Sequence, residues 1–115
     1  SAYYDITHGE GLAIITPRWM KHILSEKTVD RFVKYGINVF GIDESLDKMA
    51  IANKAIDETY KFFESINIPM HLKDVGIDES RIEEMAKHVA DNEGLENAWA
   101  PLLQEDIAAI FRASL

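Results

Sequence analysis

The sequence predicts an all-α domain, a bundle-like pack of about five helices around one core. Three observations predict it. Apolar residues recur at spacings of three and four, the signature of a helix with one buried stripe. Glycines and prolines cut the chain into helical lengths. The sole strand candidate, Ile37 to Ile42, is short and alternates only in part.

The first element is Glu10 to Leu24, apolar at Leu12, Ala13, Ile14, Ile15, Trp19, Met20, Ile23 and Leu24. Apolar residues on several sides predict a helix buried on more than one face. Pro17 removes an N–H and crowds the carbonyl of Ala13, so a kink or a break is expected, with Thr16 capping the second half. A short helix from Thr28 to about Tyr35 is expected to stop at Gly36. Ser45 to Ile66 is the longest element, with Met49, Ala52, Ile56, Thr59, Tyr60 and Phe63 on one stripe.

Pro69 to Asp78 reads as a loop, and Glu79 to Asn92 as a helix burying Ile82, Met85, Ala86 and Val89. Asp78 or Ser80 can cap it, and Ser80 with Glu83 has the spacing of a capping box. The last helix is Gln104 to Ser114, with Ile107, Ile110 and Phe111 inward. Leu102 and Leu103 precede it, so its start lacks a side-chain cap and is expected to fray.

Composition narrows the function classes. The 115 residues suit one domain, 1–115. Twenty acidic residues against twelve basic give a formal charge of -8, the wrong balance for nucleic acid. The longest basic cluster is Arg18 with Lys21 and His22. No apolar run approaches the ~18 residues of a membrane span, and no signal peptide is visible. Cysteine is absent, which removes disulfides and thiolate metal sites and points to a cytoplasmic chain. The opening Ser1-Ala2-Tyr3-Tyr4 lacks an initiator Met and is what a chain beginning inside a larger protein would show.

One stretch stands apart. His8 falls at a helix start, with Gly9 and Gly11 flanking Glu10. Two glycines there, each about 1 kcal/mol poorer than alanine in a helix, imply a close neighbour. A complete metal site wants at least three ligands. On one helix His8 and His22 would be about 21 Å apart at ~1.5 Å per residue. Asp5 and Glu10 could join His8 in a small metal-binding protein, while His71 and His88 read as ordinary polar positions. No nucleophile elbow, phosphate loop or dinucleotide fingerprint occurs, so the chain offers no catalytic residue of its own.

Asp5-Ile6-Thr7-His8-Gly9-Glu10-Gly11-Leu12-Ala13-Ile14, followed by Pro17-Arg18-Trp19-Met20, resembles the second signature of iron-containing (group III) alcohol dehydrogenases. The branch it is most similar to is the bacterial NAD(P)H-dependent butanol dehydrogenases. The likeness continues through Phe32 to Ile42, Phe62 to Pro69, Leu72 to Ile77 and Leu102 to Phe111, and so covers essentially the whole chain.

The resemblance implies the C-terminal helical domain of such an enzyme. Its partner would be an N-terminal dinucleotide-binding domain, with a divalent metal, iron or zinc, in the cleft between them. The metal would be held by one Asp and three His, of which His8 aligns with the last. The cofactor would be NAD(P), and the substrate a small alcohol or aldehyde. The remaining ligands and the nucleotide site would lie before Ser1, so the 115 residues alone are expected to be inactive and to hold no metal stably. The threonine usual before the last helix is replaced by Leu103. An uncovered interdomain face would let two copies pair as a homodimer. The competing expectation is a stand-alone helical module that docks a partner protein.

Overall fold

The computed structural model describes residues 8–93 and 100–115, with side chains from Gly11 to Asp91 and from Ala100 onward. Five α-helices and two single 3₁₀ turns make up the described residues, with no strand among them. Helix α1 is His8–Ile23, α2 Val29–Phe40, α3 Lys48–Ser65, α4 Ile82–Glu93 and α5 Gln104–Ala113. The 3₁₀ turns, Leu72–Val75 and Glu79–Arg81, lead into α4. Helix α2 packs on α3, α4 packs on α5, and α1 touches both α3 and α5, joining the two pairs.

The all-α expectation therefore holds, with local differences that have physical causes. Helix α1 runs unbroken through Pro17. The Thr16 hydroxyl turns back to the Leu12 carbonyl instead of capping a second helix, and the Arg18 guanidinium donates to the Ile14 carbonyl. Side-chain donors thus reach carbonyls of the turn that the proline disturbs. Ile14 is fully buried, Ala13 and Pro17 are buried beside it, and packing carries the helix past a residue that would end an isolated one.

Gly36 does not stop α2, and Ile37 to Phe40 are helical, not a strand. The helix ends at Gly41, whose φ of 63° is the left-handed cap that glycine adopts without a Cβ clash. The Gly41 and Ile42 N–H groups close on the carbonyls of Ile37 and Gly36 at 3.1 and 3.3 Å. Gly36 is buried for a different reason. A Cβ there would sit 3.1 Å from the Ala55 Cβ and 3.3 Å from the Ile51 Cγ2, so glycine sets how closely α2 approaches α3.

That approach also widens the buried stripe of α3. It comprises Ile51, Ala52, Ala55, Ile56 and Thr59, whereas Met49, Tyr60 and Phe63 are only half-buried. Buried Thr59 donates to the Ala55 carbonyl at 2.8 Å. Its single proton is thereby used, so the Tyr35 hydroxyl, 2.6 Å away, donates to it. Asp47 caps α3 by accepting from Met49 and Ala50 N–H.

The stretch read as a loop contributes to the core. Leu72 and Ile77 are each 1% exposed, and the Leu72 N–H bonds the Ser114 carbonyl at 2.7 Å, tying this turn to the end of α5. Asp78 caps the entry to α4. The Ser80–Glu83 capping box does not form, because Ser80 lies in a 3₁₀ turn before the helix and Glu83 pairs with Arg112.

The principal extents are 43 × 33 × 18 Å and the radius of gyration is 14.8 Å, against about 13 Å for a compact domain of this length. The molecule is a slab.

Gly36→Val tests the close crossing. The added carbons meet Ala55, which has no rotamer to yield, so the helices must part. The expected outcome is a loss of about 1–3 kcal/mol in urea unfolding. Gly36→Ala should lose less, because alanine regains about 1 kcal/mol of helix propensity.

Candidate functional site

The sequence-predicted ligand, His8, is the first residue of α1. Its side chain and that of Glu10 lie outside the described side chains, and Asp5 lies outside the described residues. The helix that carries His8 is fixed farther along by buried Ala13, Ile14, Pro17 and Ile23, so its first turn projects from a rigid support. Among the described residues no group of three or more His, Asp or Glu could hold a metal ion. The residues described here do not assemble a metal site by themselves.

The other histidines are placed apart from His8. His22, near the end of α1, bonds Asp106 on α5 at 3.1 Å. His71 precedes the 3₁₀ turn at Leu72 and is exposed, and His88 is exposed on α4.

Asp106 has two functions that the sequence reading missed. One carboxylate oxygen accepts from the Leu103 N–H at 2.9 Å, and the other meets His22. The first contact ties down the start of α5, so the expected fraying is countered without a capping side chain at Leu103. The signal was the acid three residues into the helix, which is the reciprocal half of a capping box. The Leu103 N–H, and next the His22 contact, hold the Asp106 carboxyl below its ordinary range. At the other end of α5, Arg112 reaches Glu79 and Glu83 at 2.9 and 2.6 Å. These acids raise the already high pKa of the guanidinium.

The cluster of Arg18, Lys21 and His22 acquires a setting that the sequence did not reveal. These residues form one wall of a groove of about 410 Å³ between α1, α3 and α5. Ile56, Asp57 and Tyr60 come from α3, and Ala109, Ile110 and Ala113 from α5. The Arg18 guanidinium lies 4.9 Å from the centre of the Tyr60 ring, within the range of a cation–π contact.

The sequence profile described as "Fe-containing alcohol dehydrogenase family, C-terminal" matches residues 1–115. The chain belongs to that family. It is 49% identical to NADH-dependent butanol dehydrogenase A of Clostridium acetobutylicum, over 99% of this chain and 30% of that protein. It is 44% identical to NADH-dependent butanol dehydrogenase B of the same organism, over 100% of this chain and 30% of the relative. Identity to the 1,3-propanediol dehydrogenase of Klebsiella pneumoniae is 34%, over 95% and 28%. The chain therefore spans under a third of the length of these relatives and corresponds to the C-terminal part of iron-containing alcohol dehydrogenases. Metal and NAD(H) use belong to the family. No helix among the described residues is long and apolar enough to cross a membrane.

The Asp106 contacts have a pH signature. A carboxyl whose folded pKa is depressed stabilises the fold above its unfolded pKa, and this contribution is lost as pH falls through the folded value. Asp106→Asn is expected to destabilise by about 1 kcal/mol at pH 7. The difference from the parent should shrink toward pH 3 in thermal melts followed by circular dichroism.

Proposed function

We propose that this chain is the C-terminal, metal-contributing part of an enzyme that interconverts primary alcohols such as butanol and their aldehydes with NAD(P)H. The observation that carries the reading is collinear identity of 44–49% across the chain to two NADH-dependent butanol dehydrogenases. The NADH dependence of these two relatives favours NADH as the cofactor. In this reading residues 1–115 form one helical domain, and a dinucleotide-binding domain precedes it in the same enzyme.

His8 is the metal ligand this chain supplies. A divalent ion, iron or zinc, contributes Lewis acidity, stabilising negative charge on the substrate oxygen. The chain's own contribution is positional. Helix α1 is anchored by its buried residues between α3 and α5, so the first turn presents His8 from a fixed support. Close packing of that kind is what holds a ligand within the narrow tolerance of a metal site.

Exposed apolar surface supports a partner domain. Leu12 on α1 is 53% exposed, and Phe62 and Ile66 near the end of α3 are 54% and 52% exposed. Large exposed apolar side chains suit an interdomain contact.

His8→Ala in the full-length enzyme tests the assignment. The expected outcome is metal content, by mass spectrometry of the purified protein, reduced at least ~10-fold with the helical circular dichroism unchanged. NADH-dependent reduction of butanal should fall with it. Metal retained at one equivalent by the variant would remove His8 from the ligand set. The 115 residues alone are expected to bind no stoichiometric metal and to reduce no butanal.

A further inference from the structure

The groove between α1, α3 and α5 has no place in the reading above. At ~1.5 Å per residue, Pro17 to His22 lie about 14 to 21 Å along α1 from His8. Its volume of about 410 Å³ falls in the range of small-molecule sites, roughly 300–1,000 Å³. The base is apolar, formed by Ile56 and Ile110, both nearly fully buried. Ala109 and Ala113, one turn apart on α5, line it with methyl groups only, and larger side chains at these positions would fill the space.

Two cations, Arg18 and Lys21, stand on the rim in a chain of net charge -8. Arg18 is held in place by the Tyr60 ring and the Ile14 carbonyl, and this leaves further guanidinium N–H donors. Among the described residues Lys21 has no ion-pair partner. His22 is engaged by Asp106, and Asp57 places one carboxylate on the α3 wall. Arg18 and Lys21 stand across an apolar floor from Asp57, with the Asp106 carboxylate behind His22.

We propose that this groove binds an alkyl monocarboxylate, its chain along Ile56, Ile110 and the two alanines, its carboxylate at Arg18 and Lys21. The fixed guanidinium offers the fork that a carboxylate accepts, with the Lys21 ammonium on the same wall. An apolar cleft with a few placed polar groups is the usual construction of such sites.

The test is calorimetric titration of octanoate into the full-length enzyme, with octylammonium as the control of opposite charge. Octanoate should bind saturably and octylammonium should not. Lys21→Ala should weaken octanoate about 10-fold by removing a charge-assisted bond worth roughly 1.4 kcal/mol. Ala109→Leu, at an exposed helix position where leucine is well tolerated, should abolish binding by filling the groove. Absence of saturable octanoate binding overturns the proposal and points to a groove covered by the rest of the enzyme. Equal uptake of octylammonium, or octanoate binding that survives either variant, also overturns it.

Discussion

The structure depends on burying α1 along the seam between two helix pairs. Helices α2 and α3 form one pair and α4 and α5 the other, and α1 packs on α3 and α5. Ile14 is completely buried, with Ala13 and Ile23 beside it. A buried aliphatic side chain contributes about 1.5–3 kcal/mol. That burial explains how α1 tolerates Pro17 without breaking, since an interior proline is unfavourable by about 3 kcal/mol. It also links the His8 end of α1 to the rest of the fold.

Polar contacts define the geometry more than they stabilise it. Arg112 spans Glu79 and Glu83, and His22 meets Asp106, but all these groups are substantially exposed. Exposed ion pairs contribute little, about 0–1 kcal/mol each. The more consequential polar bonds are buried or involve backbone. The Leu72 N–H on the Ser114 carbonyl closes the turn at Leu72 on the end of α5. The Ser114 hydroxyl, itself fully buried, donates to the Ile110 carbonyl. Unpaired, such groups would carry a desolvation penalty of about 1–3 kcal/mol.

The slab form sets how many layers of helices the domain holds. With a thickness of 18 Å, the molecule has room for roughly two layers of helices, each about 10 Å across. The chain spans about 30% of the length of its butanol dehydrogenase relatives. Large apolar side chains such as Phe62 and Ile66 stay exposed on this slab.

The sequence by itself determined the helical architecture, because apolar spacing is a local property of each segment. Glycine in the signature around His8, and the collinear stretches after it, also sufficed for the family. For a metal site the sequence offered His8 alone, and only through the resemblance, since one histidine has no spacing pattern of its own. What tertiary structure decided are the features that require two segments at once. Gly36 has the local appearance of a helix stop, yet it serves the close passage of α2 over Ala55. Leu72 and Ile77 have the composition of a loop and are core because α5 ends against them. Arg18, Lys21 and His22 are a thin basic cluster in sequence, and they become one wall of a groove when α3 and α5 supply the others. Residues brought together from distant positions leave no period in the sequence, and packing alone joins them.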